Sequence, residues 1–453
     1  MGERREKKEA HAEMRRRGEK ATENGLSSPL NNSYSNLPPG WRCLRLGEIG
    51  TIITGSTPST KHEEFYGGDC NLISPADLDA GKYINTSHKK LTRTGLAQCR
   101  ALPKDSVLVG CIGNVGKIGM VADDRSATNQ QINAIVVSPE NDPHFVYYGI
   151  QANRQRLEQS ADKTTLPILN KTNFQNFEIP VPPLSTQREI AAILGQVQKA
   201  IEAQARLLAL TAELKRTLLH RLFTQGLHGE PQKQTDIGPV PESWEVVPLG
   251  AFAKVGNGST PKRDNQAYWQ DGHIPWLNSA RIHDRFIKEP DQFVTDLAVK
   301  ECHLPRVKAN SLLIAITGQG KTLGNSALVA FETCINQHLA YAQFTTPTVL
   351  PAFVLWYMQT RYEHLRSISQ AGGSTKGALT CGYLKTYPIP VPSLDEQKDI
   401  VAVFSAIEAR EKFYQSKHAT LSDLFRALLH ELMTAKTRIH EITTVVLDCR
   451  TPV

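Results

Sequence analysis

The segment TGQGKT (317–322) sets a lysine and a threonine behind two glycines, the residue types that cradle the phosphates of a nucleotide. A phosphate-binding loop also needs a glycine separated from the Gly-Lys pair by four residues, and Ala315 stands there. The turn GNVGKIG (113–119) repeats the Gly-Lys pair, with isoleucine where a magnesium-binding hydroxyl belongs. A lysine-bearing turn after a strand is the better account of both. Methyl transfer asks for an Asn/Asp-Pro-Pro-aromatic loop. LPPG (37–40) and VPPL (181–184) supply the prolines without the carboxamide or the aromatic ring. Pro290-Asp291 opens like a nuclease carboxylate cluster, but no acidic-x-Lys follows closely. Cys302-His303 is a lone pair without further ligands. The eight cysteines are scattered, which excludes a CxxC zinc site and gives no disulfide framework. A reducing cytoplasm is the expected setting. These residues predict a chain with no catalytic centre, metal or cofactor of its own.

The stronger signal is repetition. IPVPPLSTQREI (179–190) returns as IPVPSLDEQKDI (389–400), and the flanks repeat as well. LPPGWRCLRLGEIGTIITGSTPST (37–60) echoes VPESWEVVPLGAFAKVGNGSTPKR (240–263), with Trp41 on Trp244, Gly47 on Gly250, and GSTP on GSTP. A period of about 205 residues is too long for a solenoid or a propeller blade, and it predicts two whole domains of one design. The two tryptophans are expected to pack in matching cores.

Within each copy, short β-rich runs such as SVLVGCIG and SLLIAITG alternate with Gly, Asn and Pro punctuation. A helical patch recurs at 144–159 and 352–368. Each copy then breaks at a proline-rich link and enters a long amphipathic helix, with Ser185 and Asp395 expected as the N-caps. Ile190, Leu194, Val197, Ile201, Leu208, Leu214, Leu218 and Leu222 mark the apolar stripe of the first. Ile400, Phe404, Ile407, Tyr414, Leu421, Leu424, Leu428 and Leu432 mark the second in the same phase. A helix of roughly 40 residues is about 60 Å long, too long to spend its stripe on one small domain. The predicted fold class is α/β (α+β): two similar mixed α/β domains separated by two long antiparallel spacer helices in a coiled coil, related by a pseudo-twofold. The expected boundaries are a disordered charged extension (1–36), a first domain (37–183), a spacer helix (184–225), a linker (226–243), a second domain (244–393), a second spacer helix (394–434) and a tail (435–453).

The chain is 453 residues long with a net charge of +7, of which the first 36 residues supply +2. This balance permits nucleic-acid binding without singling it out. No stretch approaches the roughly 20 apolar residues of a membrane span, and MGERREKKEAHAEMRRRGEK lacks the apolar core of a secretory signal.

In this order, and doubled, four features resemble the specificity subunit of type I restriction–modification systems. They are the W…PLG…GSTP opening, the aromatic-glycine segments FYGGDCNLISPADL (65–78) and YWQDGHIPWLNSARI (268–282), the phrase DIGPVPESWEVVPLG (236–250), and the hinge with its helix. The resemblance covers about residues 37–434. It implies two target recognition domains, each reading one half of a split, asymmetric double-stranded DNA site. It also implies spacer helices that set the distance between halves and dock two methyltransferase subunits, to which two translocase/endonuclease subunits add. S-adenosylmethionine, ATP and magnesium would then belong to the partners.

Arginine and lysine suit guanine and phosphate, and asparagine and glutamine suit adenine. The loops of the first domain offer Ser56, Thr57, Lys61, Ser74, Asp77, Asn114, Lys117, Asn129, Gln130 and Lys163. Those of the second offer Ser259, Thr260, Lys262, Arg263, Asn278, Arg281, Gln319, Lys321, Asn336, Gln337 and Lys376. Taken singly, each is better explained as a solvated loop side chain or turn-former; as matched sets they point to contact. Two other readings stay open: a nucleotide-binding enzyme using the 317–322 turn, and a coiled-coil scaffold whose domains bind protein.

Overall fold

The computed structural model describes residues 37–79, 81–162, 166–318, 321–371 and 379–436. The expected charged extension over 1–36 and nearly all of the tail lie outside them. The first copy runs through β1 (Arg42–Arg45), β2 (Gly50–Thr54), β3 (Tyr66–Ile73), β4 (Tyr83–Ile84), β5 (Lys89–Leu91), β6 (Val107–Gly110), β7 (Ile118–Val121), β8 (Ser126–Thr128), β9 (Ile132–Val137), α1 (Pro143–Ala152) and β10 (Glu178–Val181). It passes into α2 (Leu184–Gln225). A hairpin of β11 (Gln232–Thr235) and β12 (Gly238–Pro241) occupies the expected linker. The second copy has β13 (Glu245–Pro248), β14 (Ala253–Asn257), β15 (Ile274–Leu277), β16 (Phe286–Ile287), β17 (Gln292–Val294), β18 (Leu312–Ala315), β19 (Ser326–Val329), β20 (Cys334–Ile335), β21 (Leu339–Phe344), α3 (Pro351–Thr360) and β22 (Pro388–Val391), and ends in α4 (Leu394–Met433).

The two topologies are the same. Five strands are ordered β2-β9-β6-β7-β4 in one copy and β14-β21-β18-β19-β16 in the other. Three more are ordered β5-β3-β8 and β17-β15-β20. The central strands are apolar runs buried at every position, as in Val107–Gly110 and Leu312–Ala315, because the sheet is covered on both faces. α1 covers the first sheet; Pro143 opens it, and Asp142 caps it by accepting from Phe145 N at 2.9 Å. The helical patches break at Asn153 and Arg361 into two shorter helices each, and the Asn153 amide donates to Gly149 O at 2.9 Å across the break.

Two compact units result: residues up to Glu202 together with those from Ala419, and Ala203–His418. In the first unit, Ile190 and Leu194 of α2 are buried in a core that Phe425, Leu432 and Met433 of α4 also enter, with Val197, Ile201 and Leu428 partly buried against it. In the second, Ile400, Phe404 and Ile407 of α4 share a core with Leu222 and Phe223 of α2, and Leu218 packs on it. Phe223 stacks on Phe404, and Lys215 reaches Glu411, so these helix portions run antiparallel. Leu208 and Leu421 are half-buried, whereas Leu214 and Leu424 are exposed, which makes the apolar stripe narrower than its spacing suggests. Trp244 is fully buried and donates to Glu396 Oε2 at 3.0 Å; Trp41 is only partly buried, and Thr186 takes the place of that glutamate.

The repeated hinge turns on a glutamine. Gln187 Oε1 accepts from Asp142 N at 2.8 Å while its Nε2 donates to Pro182 O at 2.9 Å. Gln397 Oε1 accepts from Leu350 N at 2.7 Å while its Nε2 donates to Thr348 O and Pro392 O at 3.0 Å. Each amide bolts the first turn of a long helix to the start of the packing helix of its own module. The helices begin one residue before the expected caps, and Ser393 Oγ, not Asp395, accepts from Glu396 N. Gln397→Leu leaves the half-buried Leu350 N–H and the buried Pro392 carbonyl without this partner, and frees the more exposed Thr348 carbonyl. It should lower unfolding stability by about 2–4 kcal/mol, read by denaturant unfolding.

Candidate nucleic-acid interface

In each copy the Gly-Ser-Thr loop after β2 or β14 lies directly on the Asn-Gln turn that leads into β9 or β21. Ser56 N donates to Thr128 O at 2.8 Å, and Ser259 N to Ile335 O at 3.0 Å. The approach is possible because Gly55 and Gly258 lack a side chain. A Cβ would stand 2.1 Å from Asn129 O in the first copy and 1.9 Å from Ile335 O in the second. Thr57 Oγ1 then donates to Gln130 Oε1 at 2.9 Å, and Thr260 Oγ1 donates to Gln337 Oε1. Asn129 and Asn336 hold the turn itself, each Oδ1 accepting a backbone N–H at 3.1 Å, from Gln131 and His338. In this arrangement the threonine hydroxyl takes the glutamine oxygen and leaves the exposed NH2 group turned away from it. That pre-sets a donor for a base edge or a phosphate. Thus Ser56, Thr57, Asn129 and Gln130 come together, as do Ser259, Thr260, Asn336 and Gln337, although each set is drawn from segments more than 70 residues apart.

The Gly-Lys turns join the same cluster. Cys111 N donates to Gln131 O at 2.8 Å, and Ile316 N to His338 O at 3.0 Å. Asn114 is exposed, and Lys117 lines a small cleft with Arg154 and Glu158. Lys321 is exposed, and its carbonyl accepts from Tyr362 Oη and Asn325 Nδ2, both at 2.8 Å. Ala315, where a phosphate loop needs glycine, ends buried strand β18. Gln319, Lys163 and Lys376 lie outside the described residues.

The remaining predicted residues differ between copies. Arg263 stacks its guanidinium on Trp269, 3.9 Å from the ring centre, and lies 4.9 Å from that of Trp276. Its Nη1 donates to Gln292 Oε1 at 2.8 Å. The flat cation is held exposed on an aromatic wall. Lys262 beside it is exposed. Asn278 caps the turn at 279–283 and donates to Asp291, and Arg281 pairs with Asp284 at 2.9 Å. The first copy has Lys61, exposed, and its arginine over a ring, Arg156 on Phe177 at 5.3 Å, belongs to other segments of the module. Its Asp77 is buried and accepts from Ser74 N, Ser74 Oγ, His88 N and His88 Nδ1. Burial alone would raise this carboxyl, but the hydrogen bonds from His88 and Ser74 outweigh it and hold the group below its ordinary range. Its lone pairs are spent inside the loop, so it shapes the loop and holds His88 and Ser74. Sequence reasoning missed Trp269 and Trp276 as the seat of Arg263, and His88 and His338 as loop partners. The tryptophans lay within a segment picked out for its pattern, with nothing to indicate the arginine.

Away from these loops, Lys82 lies on Tyr148, 4.4 Å from the ring centre, and donates to its hydroxyl at 3.2 Å. Burial, more than its charged neighbours Asp142, Lys199, Asp105 and Glu202, pulls its pKa down to about 8. Since the unfolded chain holds this proton more tightly, charging Lys82 weakens the fold below pH 8, and the penalty fades as pH rises toward the ordinary lysine value. Lys82→Met should therefore raise the melting temperature at pH 7 and lose that advantage near pH 10, measured by calorimetry across pH.

A module made twice on one topology, with an amide clasp at corresponding places, a stacked cation beside it in the second copy and a long helix after each, defines a class of paired recognition modules. The family model for the type I restriction modification DNA specificity domain matches residues 38–212 and again 241–421, and the chain belongs to that family. The MjaIX specificity subunit of Methanocaldococcus jannaschii is 23% identical over 420 residues, covering 90% of this chain and 95% of that protein. The HindI specificity subunit of Haemophilus influenzae is 32% identical over 151 residues, about a third of each chain. The crystal structure of the type I S subunit from M. genitalium has the same fold, with a TM-score of 0.59 over 90% of this chain and 98% of that one at 16% identity.

Proposed function

We propose that the chain is the DNA-specificity subunit of a type I restriction–modification complex. Residues 37–183 and 244–393 each read one half of a bipartite, asymmetric site in double-stranded DNA. The helices at 184–225 and 394–434 set the half-site spacing and dock two methyltransferase subunits, with two translocase/endonuclease subunits added in the complete enzyme. Methylation, ATP hydrolysis and cleavage belong to those partners, together with their cofactors. The observation that carries this reading is the glycine-dependent Thr–Gln clasp, built twice on one topology while its flanks differ. A shared clasp suits a common approach to the duplex, and unlike flanks suit unlike half-sites.

The test is the methylation pattern of the chain assembled with its methyltransferase. Arg263→Ala should relax recognition in one half-site, costing about 1–3 kcal/mol at that position, and leave the other half as it was. A pattern altered in both halves equally, or in neither, would refute the assignment, as would methylation or ATP hydrolysis by the chain alone.

A further inference from the structure

The two copies solve one position in opposite ways. Lys82 and Arg285 each immediately precede a matching edge strand, β4 and β16. Each lies over the sixth residue of the packing helix, Tyr148 of α1 or Trp356 of α3. Each faces the fifteenth residue of its module's long helix, Gln198 or Glu408. In the second copy the cation is answered from within, because Glu408 pairs with Arg285 and lies 3.9 Å from Lys215, which also pairs with Glu411 at 2.7 Å. In the first copy Tyr148 Oη donates to the neutral Gln198 Oε1 at 2.9 Å, and Phe425 stands where Lys215 does. Among the described residues no carboxylate lies within ion-pair distance of Lys82. A cleft of about 790 Å³ opens beside it, lined also by His144, Arg188 and Lys199 and by two carboxylates, Asp142 and Glu202, neither of which pairs with Lys82.

From this we infer that the Lys82 cleft receives a carboxylate side chain from a protein partner, in the place where the second copy supplies its own Glu408. A protein carboxylate is favoured over a DNA phosphate on two grounds. The chain's own filled version of the site holds a carboxylate. The cleft also lies at the β4 edge of the sheet, four strand spacings or roughly 19 Å from the β2 edge that leads into the clasp loop.

The inference rests on the reading above only for the existence of a partner. Its test uses the full chain and reads acetylation of Lys82 by acetic anhydride with peptide mass spectrometry, with three probes: octaglutamate, inorganic phosphate and duplex DNA. A carboxylate that raises the lysine pKa by about one unit slows labelling about tenfold. Octaglutamate should do so, phosphate and DNA should not, and Gln198→Glu should do so without any probe and without lowering the melting temperature. No protection by octaglutamate, equal protection by DNA, or unchanged labelling in Gln198→Glu overturns the inference. Protection in a chain that joins no methyltransferase would refute the assembly role and support the cleft.

Discussion

Gly258→Ala should abolish recognition of one half-site while the chain stays folded. The added Cβ would lie 1.9 Å from Ile335 O, 2.4 Å from Ile335 C and 2.6 Å from Asn336 O. All three are backbone atoms of the strand and turn beneath, and none can swing aside. The obstacle is space, since Gly258 does not use a positive φ. To regain ordinary contact the loop must lift by more than an ångström, which takes the Thr260 hydroxyl out of hydrogen-bonding reach of Gln337 and unseats the start of the Pro261–Arg263 segment. Misplacing a positioned group by that much costs on the order of 100-fold in rate, read as methylation by the assembled complex. The core is spared, because the loop sits at the sheet edge, so the melting temperature should move by only a few degrees. Thr260→Val keeps the loop seated and removes only the donor, and it should cost about tenfold. Gly55→Ala should reproduce the effect in the opposite half-site, where the Cβ meets Asn129 O at 2.1 Å. Wild-type methylation by Gly258→Ala would mean the clasp has no part in recognition.

The sequence carried the doubling, the mixed α/β modules and the long helices because each is written in local pattern: matched motifs, buried apolar runs and helical spacing. It also drew attention to the GSTP and Asn-Gln segments, although their union depends on glycines whose role shows only when a second backbone lies against them. Partner identity was the illegible part. Gln187 and Gln397 look like ordinary helix residues until Asp142 N and Leu350 N are seen to need them. Asp77 looks like a loop carboxylate until His88, 11 residues on, is found donating to it. Leu214 and Leu424 fit an apolar period yet are exposed, because spacing marks a face and only tertiary packing decides how wide a face is used.

Glu408→Ala should destabilise the second unit more than any surface change on α4. Glu408 is one of two carboxylates answering Arg285 and Lys215, and both cations lie against the fully buried Trp356. Burial holds Lys215 and Arg285 below their ordinary values even with the carboxylates in place. Removing Glu408 leaves Lys215, buried, and Arg285, partly exposed, with one remaining partner, Glu411; breaking a buried pair costs about 3–5 kcal/mol, and the exposed part of Arg285 sets this one near the lower end. Because the folded pKa of Lys215 is depressed, the unfolded state binds that proton more tightly, so the variant should regain stability as pH rises toward the ordinary lysine value. The first copy dispenses with three of the four charges: it has Phe425, Gln198 and Ile201 where the second has Lys215, Glu408 and Glu411, and keeps a cation, Lys82, in the place of Arg285. On an Arg285→Met background, the triple variant Lys215→Phe, Glu408→Gln, Glu411→Ile should unfold within about 1–2 kcal/mol of the parent, since neutral groups then replace the whole ion cluster at little net cost. If the triple variant falls as far as Glu408→Ala, the network supplies net stability of its own and the two copies are not interchangeable solutions.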